Sequence, residues 1–523
     1  MKEDEKSQHG IDRRVFLAGA GVLAAAGLVG AVSGCTSTET DLNLGGDDAQ
    51  TNNDVNYKTD ETADCDVLVV GAGASGLAAA VQAAELGARV ICIERQSEAG
   101  GNCIGVEGCF GINSQMQKQQ GVVAEVGSLI RSELAASQFR ATGPGYIDLL
   151  RESGNNIDWL VEQGVEFGQV DSDYGNVQVF HRYASGYGKE SYVAPMVISA
   201  EANGVEFRYQ TRAESLVTDG DGAVIGLIAT NESGRSVLFN ARAVIVATGG
   251  FADNEEYMSE MGLSSDKVQV AGVPGHDGDG HRISVEVGAR SNRSNTCILG
   301  GNAVWGLPGM AQDGKISEVI GFAAPFGIWV NENAERFINE DFAASNIMTM
   351  SIPTFPNKTT YVIMDTIATD IFCPDAESKT QLEQGLASGE IIKADTAEDL
   401  AAAINLDPQS LNTTLERYNG YCDQGTDEDY GKTADSLIPF RQAPYYAFKI
   451  TTQVITTIGS LSTDRSFRAL DVGHLPIEGL YVIGVEGAML WCNVYTINIS
   501  GTCNANNVNS GRTAARHIVE NLL

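Results

Sequence analysis

The sequence predicts an α/β fold in which a doubly wound parallel sheet is interrupted by an inserted α+β domain. Residues 66–94 read as a buried strand, a glycine-rich turn, an alanine-rich helix and a second buried strand, the first unit of such a sheet. A further apolar strand at 243–247 runs into a glycine pair, and an apolar stretch at 480–484 precedes a final helix at about 502–521. Residues 297–453 carry none of these signals and are predicted to be the insertion.

We therefore expect a main domain formed by residues 63–296 and 454–523, with the inserted, or cap, domain at 297–453. Within the main domain, residues 145–168 have a helical pattern, and 205–247 read as strands joined by a Gly-Asp-Gly turn. With 523 residues, the chain is long enough for two domains that each have a substantial core.

The turn after the first strand has the sequence of a dinucleotide-binding site. It consists of Gly71, Ala72, Gly73, Ala74, Ser75 and Gly76. Gly71 permits the tight turn, Gly73 lets the backbone approach a pyrophosphate, and Gly76 lets the helix pack closely on the strand. The helix that begins there presents free N–H groups and its positive dipole end to the phosphates. Glu94 follows the second strand about 20 residues on, where an acidic side chain binds the ribose hydroxyls.

Later segments indicate which dinucleotide is bound. Gly101 and Asn102 come shortly after the ribose-binding acid, and a domain that binds only a nicotinamide cofactor has little use for them. Downstream lie an Ala-Thr-Gly-Gly-Phe turn, a Gly-His-Asp-Gly-Asp-Gly run at 275–280 and the segment GLYVIGVEGA at 479–488. In this order, the motifs resemble the FAD-binding half of the fumarate reductase/succinate dehydrogenase flavoprotein family (FAD-binding type 2), in particular its soluble flavocytochrome-c-like branch.

The resemblance covers about residues 63–523 and extends into the cap. Residues 335–340, ERFINE, match the family's ERFxNE motif, and residues 415–432 match its RYN…G.D.DFG segment. The resemblance implies non-covalently bound FAD, since the chain has no SGAT-like flavinylation signal, and a final helix whose N-terminus points at the flavin. The FAD contacts that it implies are Gly71, Gly73, Ala74, Ser75, Gly76, Glu94, Gly101, Asn102, Ala213, Thr248, Gly249, Asp279, Glu486, Gly501, Thr502 and Cys503.

The cations that bind and protonate fumarate in the family are missing from this chain. Fumarate reductases of the family use an arginine as the proton donor, and further arginine and histidine side chains bind the two carboxylates. Aligned with those motifs, the catalytic arginine is replaced by Ala344, a substrate-binding histidine by Thr456, and a carboxylate-binding arginine by Asn498. Because a buried carboxylate without a partner costs several kcal/mol, we expect fumarate to bind poorly. We expect instead a larger, less charged molecule with a conjugated C=C bond, such as an enone, an aryl-acrylate or a steroid-like ring.

Another side chain must then donate the proton. Tyr495 is the first candidate and Tyr187 the second, because tyrosine is the usual alternative acid in enone chemistry. His181 and Arg182 lie in a loop, HRYASGYG, that resembles a loop of the family on the substrate side of the flavin. Three further residues lie before the final helix: Trp491, Asn493 and Tyr495. They either line a substrate pocket or are ordinary core and loop residues.

The composition excludes one class of partner and limits the redox chemistry. The net charge of −34 argues against nucleic-acid binding, because neutralising phosphates requires clusters of Lys and Arg. The ten cysteines include no CxxCH haem-attachment motif and no closely spaced set of four. Cys103 and Cys109, beside the expected flavin, are buried packing residues or a redox pair, and an iron–sulfur cluster built from distant cysteines stays open. We expect the electrons to come from a separate donor.

The N-terminus predicts export. Arg13 and Arg14 fit the twin-arginine pattern, which directs folded proteins across the membrane, and a Gly/Ala-rich apolar stretch follows. That stretch is weakly apolar and about 18 residues long, which is marginal for the alternative, a transmembrane anchor. The sequence VSGC resembles a lipobox, so we expect residues 1–35 to be a signal peptide and Cys35 to be acylated. Residues 36–62 have the composition of a flexible tether.

The sequence thus predicts an exported, membrane-tethered, FAD-dependent oxidoreductase acting on CH–CH groups. It would reduce the activated C=C bond of an organic acceptor with electrons from a membrane or surface donor, such as a cytochrome, a quinol-linked protein or a flavin protein. Two alternatives stay open: a ketosteroid-type dehydrogenase that runs in the oxidative direction, and a flavoprotein that has lost catalysis and only carries electrons.

Overall fold

Five strands of the main sheet lie parallel and side by side. The structure is a computed structural model that describes residues 59–172, 177–304, 326–341, 356–487, 490–496 and 498–523. The strands within those ranges are β1 (Glu61–Val70), β2 (Val90–Ile93), β3 (Gly108–Phe110), β4 (Phe167–Asp171), β5 (Phe180–Tyr183), β6 (Glu206–Arg208), β7 (Arg212–Thr218), β8 (Val224–Thr230), β9 (Ser236–Val246), β10 (Val268–Val270), β11 (Cys297–Val304), β12 (Ile328–Val330), β13 (Thr360–Asp365), β14 (Ile391–Ala394), β15 (Tyr445–Ile458), β16 (Arg468–Leu470) and β17 (Pro476–Val482). The helices are α1 (Ala74–Glu85), α2 (Gln115–Gln119), α3 (Val126–Ala136), α4 (Gly143–Glu162), α5 (Ala194–Ala202), α6 (Glu255–Glu260), α7 (Asp279–Glu286), α8 (Thr366–Phe372), α9 (Ala376–Ser388), α10 (Ala397–Ala403), α11 (Pro408–Gln424) and α12 (Thr502–Leu522).

The main sheet has the doubly wound architecture that the sequence predicts. Its order is β16-β17-β9-β1-β2-β6, and β7 and β8 extend it through the β8–β9 pair. The central strand β1 is buried on both faces from Val67 to Val70, which is why it reads as a continuous apolar run. On one face α1 and α12 pack against each other, and Gly511 permits their close approach, since a Cβ there would lie 2.4 Å from the Ser75 carbonyl oxygen.

The predicted helix at 145–168 is observed as α4, but it is shorter than the pattern suggested. It ends at Glu162, and Gly164 then adopts a φ of 91°, a left-handed conformation that stops the helix. Phe167 begins β4, which pairs with β5 in a small sheet of order β3-β5-β4.

A second sheet is built around β15, which pairs with β10, β11, β13 and β14. The first half of β15 lies in a separate apolar core that includes Trp329, Leu400 and Phe448, and α8, α10 and α11 contribute to that core. Its second half pairs with β11, where Leu299 lies opposite Thr456. The strand therefore continues through the predicted domain boundary at 453–454.

A buried ion network joins the two cap motifs. The Arg336 guanidinium contacts Glu340 at 2.8 Å and Asp427 at 3.0 Å, and the side chains of all three are at most 4% exposed. Lys432 is also buried, donates to the Gly327 carbonyl oxygen at 2.8 Å and lies 3.8 Å from Glu340. Two positive and two negative side chains thus balance one another, as buried charges must.

The predicted export segment and most of the predicted tether lie outside the described residues. This applies to Arg13, Arg14 and Cys35, while β1 already begins at Glu61. Within the described ranges, no helix combines the length and the apolar character needed to cross a bilayer.

Candidate active site

The glycine turn forms the floor of a cleft at the end of β1. Gly71 has a φ of 106°, and a Cβ there would lie 2.5 Å from the Ala247 carbonyl oxygen, so another residue would not fit. A Cβ at Gly76 would lie 1.9 Å from the Gly71 carbonyl oxygen, which supports the packing role predicted for this glycine. Gly73 differs, because a Cβ there would meet nothing nearer than the Gly100 carbonyl oxygen at 3.9 Å. This open side, together with a helix N-terminus that no side chain caps, suits a phosphate group.

Glu94 is held rigidly at the carboxyl end of β2. Its two carboxylate oxygens accept hydrogen bonds from the backbone N–H groups of Ala72 (2.8 Å) and Gln96 (2.9 Å). The side chain lines the same cleft as the glycine turn, so a ribose bound beside the turn would meet a fixed acceptor.

One continuous cleft brings together most of the residues predicted to bind a cofactor. The predicted residues that line it are Gly71, Gly73, Ala74, Ser75, Glu94, Gly101, Asn102, Ala213, Thr248, Gly249, Asp279, Gly501 and Cys503. Three others stand behind it: Gly76 packs the helix, the Thr502 hydroxyl donates to the Ile499 carbonyl oxygen, and Glu486 bonds to Thr248. Asn102 ties the cleft walls together, because its side chain accepts from Val273 N–H (2.7 Å) and donates to the Ile455 carbonyl (2.9 Å).

Asp279 stays ionised beside three arginines, Arg212, Arg282 and Arg95. It begins α7, and its carboxylate contacts Arg212 at 2.7 Å and Arg282 at 3.5 Å. Burial raises the pKa of Asp279, but hydrogen bonding and charge attraction from Arg212 outweigh it and hold the pKa below its usual value. The guanidinium of Arg212 is therefore already neutralised by a carboxylate of the cleft.

In contrast to Asp279, Glu486 has a pKa above its usual value. Its side chain is fully buried and accepts a hydrogen bond of 2.6 Å from the Thr248 hydroxyl. Burial raises the pKa of Glu486 to about 8, because only the Thr248 contacts and a few backbone groups favour the charged form. At neutral pH the folded protein therefore holds a proton here that the unfolded chain releases.

We expect Glu486→Gln to stabilise the protein at high pH. The folded-state pKa of about 8 exceeds the ordinary value of 4.5, so the wild type loses stability as the pH rises through this interval. The glutamine cannot ionise, so its advantage should grow to roughly a few kcal/mol above pH 8 and vanish below pH 4.5. Urea unfolding of the cofactor-free protein at several pH values measures this. The exposed Glu478→Gln is the matched control, and an equal pH dependence in both variants would contradict the assignment.

The N-terminus of α12 closes one side of the cleft. Gly501 caps the helix with a φ of 79°, and a Cβ there would lie 2.6 Å from the Phe110 nitrogen. Asn504 donates to the Gly108 carbonyl oxygen at 3.1 Å and to the Tyr183 hydroxyl at 2.8 Å, which fixes the first turn against β3 and β5. No side chain caps this helix, and Gly501, Cys503 and Asn504 line the cleft, so the positive end of the helix dipole favours negative charge there.

The cap end of the cleft is lined by apolar and uncharged groups. Leu299, Gly300 and Thr456 come from the paired strands β11 and β15, and Tyr495 also lines the cleft. Apart from Thr456, sequence reasoning did not identify the strand residues, since their position depends on the pairing of segments more than 150 residues apart. Tyr495 is 7% exposed, and its ring lies 5.1 Å from that of Trp491. Burial raises the pKa of Tyr495 well above its ordinary value, so the hydroxyl keeps its proton.

The structure places His181, Arg182 and Tyr187 outside the lining of the cleft. His181 is buried, its Nε2 lies 2.8 Å from the Ser114 hydroxyl, and burial lowers its pKa to about 4. Arg182 contacts Asp171 at 2.9 Å, and Tyr187 accepts at its carbonyl oxygen from Ser185. None of His181, Arg182 and Tyr187 lines the cleft, because β5 turns them into the small sheet or the following loop, and only the neighbouring Phe180 reaches it.

Basic side chains line the cofactor end of the cleft but not its cap end. Among the described lining residues, the basic ones are Arg95, Arg212 and His276. The Arg95 guanidinium contacts Asp277 at 2.7 Å, and the Arg212 guanidinium contacts Asp279 at 2.7 Å. Burial lowers the pKa of His276, which keeps that ring neutral. Asn498 does not reach the cleft, since its amide donates to the Ser132 hydroxyl at 2.8 Å. Ala344 lies outside the described residues.

Within the ranges that the structure describes, the cysteines form no disulfide. Cys103 and Cys109 are both buried and unpaired, and burial raises the pKa of each thiol. No three His, Cys, Asp or Glu side chains of the described residues lie close enough to hold a metal ion. The packing role predicted for Cys103 and Cys109 fits this arrangement.

Comparison with known proteins agrees with the geometry of the cleft. Residues 66–490 match the family described as FAD binding domain. A vinyl phenol reductase of Lactiplantibacillus plantarum is 29% identical over 480 residues, which cover 87% of this chain and 96% of that protein. A urocanate reductase of Eggerthella lenta is 27% identical over 445 residues, which cover 81% and 70%.

Solved structures share the fold. The open conformation of a flavocytochrome c3 fumarate reductase has a TM-score of 0.67 at 22% identity, over 89% of this chain and 79% of the other. A 3-ketosteroid-Δ4-(5α)-dehydrogenase from Rhodococcus jostii RHA1 has a TM-score of 0.69 at 23% identity, over 89% and 98%. The fold and cleft therefore define a flavoprotein with a dinucleotide-binding domain and an inserted cap, as predicted. The chain belongs to the FAD binding domain family, as a fumarate reductase-like flavoprotein, and is an FAD-dependent oxidoreductase.

The residues present fit FAD. Gly73 and the uncapped start of α1 suit the pyrophosphate, Glu94 suits the adenosine ribose, and the N-terminus of α12 suits the electron-rich end of a reduced flavin. When bound, FAD supplies hydride-transfer chemistry to this cleft.

We expect Glu94→Ala to weaken FAD binding by about 1–3 kcal/mol, because charge-assisted hydrogen bonds to the ribose are lost. Titration of the cofactor-free protein with FAD, followed by flavin fluorescence, gives the dissociation constant. Glu98→Ala is the matched control, since the Glu98 side chain is 72% exposed and contacts Lys189 on the surface. Equal affinity in the Glu94 variant and the wild type would contradict the assignment.

Proposed function

We propose that this protein is an exported FAD-dependent reductase that reduces the activated C=C bond of an uncharged or weakly charged organic acceptor, of the enone or aryl-substituted alkene type. The observation that carries the proposal is the lack of a cation at the cap end of the described cleft, next to an intact cofactor site. A dicarboxylate bound there would leave both of its charges without a partner, at a cost of several kcal/mol.

The two cap segments outside the described ranges add little positive charge. Residues 305–325 and 342–355 contain a single basic residue, Lys315, and no histidine. Two carboxylates cannot both be matched by one lysine in the bidentate way that arginines provide. The sequence of these segments therefore supports a neutral acceptor as well.

Tyr495 is the group that we assign as proton donor. It lines the same cleft as Thr456, and its buried hydroxyl stays protonated at neutral pH. Its hydroxyl would transfer its proton to one carbon of the double bond, while the other carbon receives a hydride. Leu299 and Ile455 contribute apolar surface to the lining of the cleft, and an apolar environment strengthens the polarising effect of the polar groups beside it.

The relatives support this class of reaction. Vinyl phenol reductase and urocanate reductase both carry names of C=C reductases, and vinyl phenol is an uncharged aryl alkene. The proposal includes a separate electron donor at the membrane or cell surface, and the whole sequence contains no haem-attachment motif.

A panel of acceptors tests the proposal. The FAD-loaded protein is mixed anaerobically with a reduced viologen dye, and dye oxidation is followed with a neutral enone, a 4-vinylphenol, the corresponding aryl-acrylate and fumarate. We expect the neutral acceptors to react fastest, the aryl-acrylate more slowly and fumarate negligibly. Fumarate turnover equal to that of the neutral acceptors would overturn the proposal. Faster turnover of a saturated ketosteroid with an oxidised dye would favour the dehydrogenase alternative.

The proposed location has its own test. Replacing Arg13 and Arg14 with lysine is expected to leave the precursor in the cytoplasm, because the twin-arginine transporter reads the arginine pair. Cell fractionation followed by immunoblotting measures this, with Arg95→Lys, in the folded part of the chain, as the control. Export of the lysine variant at the wild-type level would contradict the twin-arginine route.

A further inference from the structure

His276 is a histidine of the cleft whose backbone is fixed from both sides. The Asp253 carboxylate accepts hydrogen bonds from the backbone N–H groups of Gly275 (2.7 Å) and His276 (2.9 Å). The Asp253 backbone N–H in turn donates to the His276 carbonyl oxygen at 2.9 Å. These three bonds hold the chain in place at His276, so its imidazole ring has a defined position in the lining of the cleft.

The amide group of Asn102 has an orientation that does not depend on the histidine. Its Oδ1 accepts from the Val273 backbone N–H at 2.7 Å, and its Nδ2 donates to the Ile455 carbonyl oxygen at 2.9 Å. A backbone N–H can only donate and a backbone carbonyl oxygen can only accept, so exchanging the two amide atoms would break both bonds. The second N–H of Nδ2 is therefore the group that faces Nδ1 of His276, at 3.3 Å.

This contact determines which nitrogen of His276 carries the proton. Nδ1 accepts from Asn102, so it keeps a free lone pair and the ring is neutral. In a neutral imidazole one nitrogen accepts and the other donates, so the proton lies on Nε2. Burial also lowers the pKa of His276, which agrees with a neutral ring.

The Nε2 atom of His276 lies beside Gly249, which also lines the cleft. A Cβ at Gly249 would lie 3.0 Å from Nε2 and 2.9 Å from Cδ2, so this edge of the ring occupies the space that a side chain at position 249 would need. Among the described residues, Nε2 has no hydrogen-bond partner, and it is not one of their buried unpartnered atoms. A group bound in the cleft can therefore reach this N–H.

His276 lies close to the part of the cleft that suits the pyrophosphate. Gly101 is next to the glycine turn, because a Cβ at Gly101 would lie 3.8 Å from the Cα of Gly73. Asn102 follows Gly101 in the chain and contacts His276, so one side chain separates the histidine from this region. The parts of FAD expected beside the turn are the pyrophosphate and the adjoining ribityl chain, and the oxygens of both accept hydrogen bonds.

We propose that His276 binds FAD through its Nε2–H, which donates a hydrogen bond to an oxygen of the pyrophosphate or of the ribityl chain. Asn102 is the positioning residue, since its amide keeps Nδ1 unprotonated and thereby keeps the proton on Nε2. The ring contributes a directed hydrogen bond and no charge. The inference extends the cofactor site, and it does not depend on which acceptor the protein reduces.

Two substitutions of His276 separate the donor from the rest of the ring. The amide of His276→Gln can place an N–H where Nε2 lies, whereas the shorter side chain of His276→Asn reaches only the position of Nδ1. We expect His276→Gln to bind FAD within about threefold of the wild type and His276→Asn to bind it about five- to thirtyfold more weakly, as the loss of one hydrogen bond predicts. Titration of the cofactor-free proteins with FAD, followed by flavin fluorescence, measures both. His474→Asn, at the exposed turn between β16 and β17, is the matched control and should bind FAD as the wild type does.

Partial ligands locate the oxygen that accepts the bond. ADP-ribose contains the pyrophosphate but neither the ribityl chain nor the flavin, and FMN contains the ribityl chain. Weaker binding of ADP-ribose to His276→Asn would assign the bond to the pyrophosphate, and weaker binding of FMN alone would assign it to the ribityl chain. Wild-type affinity of His276→Asn for FAD, or an equal loss in His276→Gln and His276→Asn, would overturn the proposal.

A spectroscopic measurement locates the proton without any substitution. Among the described lining residues His276 is the histidine, so its ring signals are those that a bound cofactor shifts most. In the wild type labelled with ¹⁵N at histidine, NMR spectra that correlate ring protons and nitrogens should show this ring protonated at Nε2 and not at Nδ1. The measurement also decides the case in which His276→Asn does not fold. A ring protonated at Nδ1, or histidine signals that FAD leaves unchanged, would contradict the assignment.

Discussion

Replacing Arg336 with leucine is expected to destabilise the cap by about 3–5 kcal/mol, because it leaves buried carboxylates without their principal counter-charge. Glu340 and Asp427 are completely buried, and both contact the same guanidinium, so neither can turn to solvent when it is lost. Lys432 cannot substitute, since it lies 3.8 Å from Glu340 and donates to the Gly327 carbonyl oxygen.

Urea unfolding measures the effect of Arg336→Leu. Trp329 reports on the same region, because its backbone N–H donates to Glu340 and its ring is buried in the cap core. The matched control is Arg417→Leu in the second cap motif, whose guanidinium is 63% exposed and contacts Asp429 on the surface. Surface ion pairs contribute about 0–1 kcal/mol, so the control should shift the urea midpoint little. Similar midpoints for both variants would contradict the claim that the network stabilises the cap.

Local features of the cofactor site could be predicted from the sequence because they depend on neighbouring residues. Gly71 and Gly73 act through backbone geometry within one turn, and Glu94 is fixed by N–H groups at most 22 residues away. The matching family motifs then extended the prediction to segments far along the chain, and the cleft brings most of those residues together.

The groups at the cap end could not be predicted in the same way, because long-range packing decides where they lie. The HRYASGYG loop was predicted to approach the substrate side of the flavin, yet β3 and β4 pair with β5 on both sides and bury His181 between them. Glu133 of α3 is buried as well, and its carboxyl group accepts a hydrogen bond from Thr496, 363 residues later in the chain. The ion pair of Arg336 with Asp427 likewise spans 91 residues. The two cap motifs in the sequence contain Arg336 and Asp427, but only the folded structure shows that these residues form an ion pair.

Tyr495→Phe is expected to reduce turnover by about 10²–10⁴-fold, the usual contribution of a general acid. The change removes only the hydroxyl, so the ring can still pack on Trp491 and line the cleft. The family's arginine position is occupied by Ala344, and His181, Arg182 and Tyr187 do not line the cleft, so no other predicted acid can replace the lost proton. The loss should fall on kcat, while FAD content, read from the flavin absorbance, stays at the wild-type level.

Tyr187→Phe is the matched control for this experiment, since the Tyr187 side chain lies outside the cleft and the variant should retain wild-type turnover. Both variants are assayed with the fastest neutral acceptor and a reduced dye, so that the electron donor is the same in each. Unchanged turnover in Tyr495→Phe together with slow turnover in Tyr187→Phe would reverse the two assignments. Slow turnover only in Tyr495→Phe would mean that a buried phenol donates the proton here, the step for which the resemblance implies an arginine in the family's fumarate reductases.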